Sequence, residues 1–422
     1  MNRDGKMRLG AFLMAGGHHI SAWRHPDAVA QAGVDIRHFI ELAQTAERGL
    51  FDMVFVEDAA AIREKNPEMA SQAARSTAFE PLSLLSAIAV NTSHVGLVAT
   101  ASTTYNDPYV LARTFSSIDL LSNGRAGWNL VTSASELEAA NFGGSGLRPH
   151  AERYERAEEF ADAALALWAS AAGGHDTASS VSIHGKHFDV DGFLQSRRSP
   201  QGRPLMVQAG ASDTGKNLAA RTADVVFAAS QTLDQARQYY LDVKGRLSKF
   251  GREADALKIM PGISPIIGST EAEAQAKYRE LQELIPDAVG VALLASYLNA
   301  ADLSSYPIDG PLPEMERNEG MQSRQQLIVD HGLRENLSIR DLSRHFAGAR
   351  GHWQVVGTPS QVADAMEERF LAGGADGFNV MPPLFPSGLE DFVTQVVPEL
   401  QKRGLFRASY EGDTLKGNLG IL

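Results

Sequence analysis

The sequence predicts an α/β protein folded as a (β/α)8 TIM barrel with insertion segments at the C-terminal rim, and three observations predict it. Strand-like and helix-like stretches alternate through most of the 422 residues. The strand-like stretches are largely apolar on both faces, as suits parallel strands covered by helices. Their count of eight favours a closed barrel over an open doubly wound sheet.

In chain order, "RLGAFLM" (8–14) reads as the first strand and "IRHFIELAQTAERG" (36–49) as a helix with apolar residues at helical spacing. "DMVFVED" (52–58) is a buried strand, and "PLSLLSAIAVNT" (81–92) a helix entered through proline. "HVGLVATAS" (94–102) and "PYVLARTFSSIDLLS" (108–122) repeat the pattern, and "GRAGWNLV" (124–131) makes the fourth strand. A long helix at 149–171 starts with Pro149 in its first turn. Strands at 205–210, 224–229, 257–263 and 376–382 follow, each succeeded by a helix, near 213–222, 232–250, 271–284 and 387–403.

Two stretches break the rhythm. Residues 173–204 include "SIHGKHFDVDGF", which reads as a hairpin excursion, and 285–350 are long, polar and proline-interrupted. Both are expected as insertions at the rim of a single domain spanning 1–422, the second as a lid, with a polar C-terminal arm from about 408.

Composition narrows the function. A net charge of −12 without a basic run argues against nucleic acid or an anionic membrane as partner. The absence of cysteine removes disulfides, thiolate metal sites and cysteine nucleophiles. No apolar run approaches the ~18–20 residues that span a bilayer, so the chain reads as cytoplasmic. His18, His19 and His25 lie together in "GGHHISAWRHP", but no carboxylate stands at ligand spacing beside them and no metal is expected. A Ser–His–Asp hydrolase lacks its G-x-S-x-G elbow.

Several residues carry chemistry on position alone. "GASDTGKN" (210–217) misses the phosphate-loop pattern at its last place, where Asn217 stands instead of a magnesium-binding hydroxyl. A strand still runs through Gly210 and Ser212 into a helix start, where free N–H groups and the helix dipole suit a phosphate. A plain turn capped by Ser212 is the competing reading. Asp58 ends the second strand, and Thr103 and Thr104 the third, at the barrel end that bears active sites. In the fourth strand a bulky Trp128 suits the outer layer, which turns Asn129 inward to bond either a neighbouring strand or a ligand. His150 and Tyr154, four apart at a helix start, share one face.

Together the segments "GHHISAWRHPD", "AERGLFDMVFVED", "STTYNDPY", "GRAGWNLVTS", "NFG", "ERY", "QAGASDTG", "VGTPSQVADAM", "GADGFNV" and "VVPELQKRGLFR" resemble the bacterial-luciferase-like flavin monooxygenases. The branch is that of nitrilotriacetate, dibenzothiophene-sulfone and long-chain alkane monooxygenases, and the segments keep its order along nearly the whole chain. The resemblance implies an FMN-binding barrel, with reduced FMN supplied by a separate NAD(P)H:flavin reductase and oxygen transferred from dioxygen to a small organic substrate. By the same likeness Asp58 and Thr104 hold the ring and ribityl chain, His150, Tyr154, Ala211 and Ser212 the phosphate end, and Asn129 the flavin or the network beneath it. His18 or His19 is the catalytic candidate, and a homodimer or homotetramer is implied.

One departure bears on the substrate. The alkane branch has a histidine soon after its equivalent of "WNLVTS" and a cysteine in its first strand, and this chain has neither. Oxidation next to nitrogen or sulfur is therefore expected. A deazaflavin- or FMN-dependent oxidoreductase of the same fold and a non-catalytic flavin-binding protein are the alternatives.

Overall fold

The structure is a computed structural model and describes residues 5–62, 78–143, 146–172, 179–298, 303–314 and 322–421. The parts of the expected insertions at 173–178, 299–302 and 315–321 lie outside the described residues. The strands are β1 Arg8–Leu13, β2 Met53–Val56, β3 Gly96–Ser102, β4 Ala126–Val131, β5 Val181–His184, β6 Asp189–Gly192, β7 Leu205–Gln208, β8 Val225–Ala228, β9 Lys258–Ile267, β10 Trp353–Gly357 and β11 Gly377–Val380. Parallel pairing runs β1–β2–β3–β4–β7–β8–β9–β11 and returns to β1, so the eight strands close into a barrel. The expected fold is the one observed, with strand ends shifted by a few residues.

Side-chain alternation sorts the strand residues into two cores. Outward, Leu9, Val54, Leu97, Trp128 and Met206 pack beneath the helices. Inward, Phe12, Met53, Phe55, Val98, Val207, Val225 and Met260 fill the barrel. Trp128 is fully buried outside, donates Nε1–H to Ala101 O at 2.9 Å, and meets Phe160 and Trp168 at ring distances of 5.6 and 6.1 Å.

A strand and the helix after it, both at the barrel rim, had no counterpart in the sequence reading. Strand β10 pairs with the second half of β9, Trp353 opposite Ile263 to Gly357 opposite Ile267. The helix Pro359–Leu371 follows it, opened by a capping box between Thr358 and Gln361. A five-residue strand directly behind a long polar segment carries too little periodicity to stand out.

The stretch read as a polar lid is largely helical. Helices Asp287–Leu298, Gln322–Glu335 and Ile339–Ala349 share a core of Leu294, Leu298, Ile328, Leu342 and Phe346. A second small cluster of Ile20, Ile285, Val289 and Ala347 ties this subdomain to the loop after β1. The hairpin excursion is β5–β6, held by Glu159, whose carboxylate accepts from the backbone N–H groups of Lys186, His187 and Phe188.

The C-terminal segment, expected as an arm, lies under the barrel. Leu415, Leu419 and Ile421 join the inner core from below. A Cβ on Gly96 would run into Leu415 Cδ1, so the glycine makes room for the approach. Beside it Arg407 and Asp52 form an ion pair with neither side chain exposed, and Arg407 also donates to Asn418 O at 2.6 Å.

Candidate functional site

With the floor filled, the accessible end of the barrel is the C-terminal mouth, where the loops after the strands meet. The loop after β1 is stitched to the loop after β11: His18 N–H donates to Pro382 O at 3.0 Å and His19 N–H to Pro383 O at 3.1 Å. Gly17 makes this possible, since it has φ 125° and any Cβ there would collide with Pro383 O.

The structure gathers the expected phosphate-end residues. Ser212 caps the helix Asp213–Thr222, its Oγ accepting from Gly215 N–H at 3.1 Å, which leaves the hydroxyl hydrogen free to donate outward. Tyr154 reaches the same turn: a Cβ on Gly215 would lie 3.0 Å from Tyr154 Oη and 3.2 Å from Ser212 Oγ. His150 stacks obliquely on Tyr154 with ring centroids 4.6 Å apart. Ala211 is exposed just ahead of the cap. Two hydroxyls and the acceptor-free first N–H groups of a helix thus face one small region, a donor set suited to an anion of phosphate size.

Thr104 and Asp58 belong to the ends of β3 and β2, where they flank the mouth. Thr104 is half-buried and donates its hydroxyl to Thr132 O at 2.7 Å. Asp58 is exposed one residue beyond Glu57. Asn129 does point into the barrel, level with Thr100 and Val207. Its Nδ2 donates to Thr100 Oγ1 at 2.8 Å, while Oδ1 is buried without a partner. Asn379, also inward, has neither amide atom bonded. One half of the Asn129 amide is therefore satisfied by the neighbouring strand, and the other half has a vacant hydrogen bond to offer.

The two histidines after β1 diverge. His18 is fully buried over Phe12, with Nε2 2.8 Å from Phe12 O. His19 turns toward the helical insertion, Nδ1 accepting from Ser21 N–H at 3.3 Å and Nε2 buried without a bond. Burial pushes the His19 pKa from 6.5 down to about 4. The folded ring is thus neutral where the unfolded one begins to take a proton. Its contribution to stability is complete above pH ~6.5 and is lost as pH falls towards ~4, by about 3 kcal/mol. Denaturation midpoints measured across that window should fall less steeply for His19→Gln than for the parent; equal slopes refute the assignment.

Three residues that sequence reasoning did not single out as site residues stand in the mouth. Glu57, at the end of β2, accepts two hydrogen bonds from Arg350, at 2.9 and 2.8 Å. His352 stacks on Phe227 with centroids 5.0 Å apart and lies against Gly262. The sequence signal was present in "ARGHWQ", an Arg-Gly-His run leading into a strand, yet it sits 293 residues from its partner Glu57. Among the described residues no group of His, Asp and Glu could hold a metal ion, and no single helix is long and apolar enough to cross a membrane.

The chain is similar to known proteins along nearly its whole length. The profile of the family described as "Luciferase-like monooxygenase" matches residues 12–377. The chain is 47% identical to N-acetyl-S-(2-succino)cysteine monooxygenase of Bacillus subtilis (strain 168), over 99% of this chain and 97% of that protein. It is 45% identical to nitrilotriacetate monooxygenase component A of Aminobacter aminovorans, over 100% and 98% of the two chains. Among solved structures, riboflavin lyase RcaE, crystallised with modified FMN and riboflavin, superposes with a TM-score of 0.89 at 29% identity, covering 99% of this chain and 96% of that one.

Proposed function

The chain belongs to the luciferase-like monooxygenase family and is a monooxygenase, and from this we propose a two-component enzyme that uses reduced FMN and dioxygen to oxygenate a small organic substrate next to nitrogen or sulfur. The observation that carries the proposal is the convergence of Tyr154 Oη and Ser212 Oγ on the start of the helix Asp213–Thr222. It supplies donors for a single phosphate, and Asn217 stands where a phosphate loop for a magnesium nucleotide would carry its hydroxyl. When bound, FMN supplies the oxygen-activating chemistry, and the protein positions it and keeps water away.

The residues divide the work by location. Ser212, Tyr154 and His150 hold the phosphate end, with Ala211 giving backbone access beside them. Asp58 and Thr104 meet the ring and ribityl chain from the opposite side of the mouth, and Asn129 offers its unbonded Oδ1 from below. The compounds in the names of two relatives, nitrilotriacetate and N-acetyl-S-(2-succino)cysteine, carry carboxylates around a nitrogen or a thioether sulfur. The same kind of substrate is the first to test. Reduced FMN arrives from a separate NAD(P)H:flavin reductase by diffusion, in the cytoplasm, to a homodimer or homotetramer.

The test has two arms. Calorimetric titration with FMN in each redox state should give saturable binding. With a flavin reductase and labelled dioxygen, mass spectrometry of aminocarboxylates and thioethers should show one labelled oxygen in product. Failure of both redox forms to bind overturns the reading.

A further inference from the structure

We propose that Arg350 is a positioning residue of the mouth: it seats the helical insertion on the barrel through Glu57 and sets the orientation of the His18 imidazole. Arg350 follows the helix Ile339–Ala349 as its cap, with φ 55° and its N–H bonded to Phe346 O at 2.8 Å. That left-handed place ordinarily takes glycine, and here glycine comes one residue later. An arginine accepts the unfavourable backbone there, which points to a use for its side chain.

The guanidinium is almost fully buried, and what surrounds it defines that use. Nη2 alone meets both carboxylate oxygens of Glu57, which leaves Nη1 to face other groups. Nη1 lies 3.4 Å from Met14 Sδ, and the group sits over the Phe12 ring at 5.7 Å. Tyr297, from the insertion helix Asp287–Leu298, also interacts with it. One side chain thus joins two insertion helices to the ends of β1 and β2.

The same group reaches His18. A carbonyl oxygen only accepts, so the 2.8 Å bond to Phe12 O places the ring proton on Nε2. Nδ1 is then the acceptor, and Arg350 Nη1 faces it at 3.5 Å. The ring is held from both edges, with its tautomer chosen by its neighbours. Seating of the insertion and setting of the histidine are therefore one event, because one guanidinium does both. That the arrangement serves oxygen transfer rests on the function proposed above; the geometry itself does not.

The decisive variant is Arg350→Gly, which suits the backbone and removes only the side chain. In flavin-free protein, hydrogen exchange of the helices Asp287–Leu298 and Ile339–Ala349 should accelerate about tenfold or more, since the link from these helices through Arg350 to Glu57 is cut. The long-range nitrogen–proton pattern of the His18 ring should change as well. The double variant Glu57→Ala/Arg350→Gly should regain only part of the exchange protection, since the Glu57 charge is gone but the link to the insertion is not restored, while His18 stays altered. Unchanged exchange and an unchanged His18 pattern in Arg350→Gly overturn the proposal. Recovery of the His18 pattern in the double variant overturns its histidine half. Neither readout uses flavin, so their outcome is separate from that of FMN titration. Product formed per reduced FMN consumed should fall in both variants, which loosened packing repaired by the second substitution would not produce.

Discussion

Ser212→Asp is expected to lower FMN affinity by about a hundredfold or more while leaving riboflavin affinity within a few-fold of the parent. Aspartate caps a helix as well as serine does, so the helix Asp213–Thr222 keeps its start and the barrel its fold. What changes is the charge at the proposed anion site. A carboxylate and a phosphate about 4 Å apart repel by roughly 4 kcal/mol at the effective dielectric of a protein surface, and screening by salt reduces this. Riboflavin has no phosphate and escapes the penalty. Paired titrations at low ionic strength would show it directly. Equal losses for both ligands, or none for FMN, place the phosphate elsewhere.

The largest expected loss of stability comes from the floor. Arg407→Met should destabilise the protein by roughly 3–5 kcal/mol, the usual consequence of stranding one member of a buried ion pair. Against typical total stabilities of about 5–15 kcal/mol this is a large fraction. Once the guanidinium is gone, Asp52 still accepts from the N–H of Leu9 at 2.7 Å, but it has lost its charged partner. Burial already pushes the Asp52 carboxyl above its ordinary range, and Arg407 is the strongest influence opposing that. The double variant Asp52→Asn/Arg407→Met should recover part of the loss. Urea denaturation followed by circular dichroism decides it: a single variant as stable as the parent would show that the pair contributes nothing.

The contrast between the two ends of the barrel explains what could be read from the sequence. Each barrel strand announces itself because its neighbours in sequence are its partners in space, and apolar runs such as "MVFV" or "LVATA" repeat at regular intervals. The inward aim of Asn129 was legible because Trp128 is too large for the interior. The turn at Ser212 was legible because a cap must precede its helix by one residue. Glu57 and Arg350 were not, since nothing local in either segment refers to the other. The insertion helices were obscured for a related reason: they bury against one another across polar linkers, so the short apolar run 287–298 and the amphipathic helix Ile339–Ala349 read as parts of one polar interruption. In the tail, Leu415, Leu419 and Ile421 are isolated apolar residues in a polar segment, and only the third dimension shows that they share a target.

That tail imposes an order on the molecule's assembly. Arg8 donates to Asn418 O at 2.7 Å and Met7 N–H to Leu405 O at 2.8 Å, so β1 rests on residues made up to 410 positions later. Contacts so distant along the chain form slowly. During synthesis β1 and β2 must wait, their lower edge wet, until the helix Leu415–Leu419 has left the ribosome. A nascent chain halted near residue 400 would expose an apolar shaft to any chaperone or protease nearby.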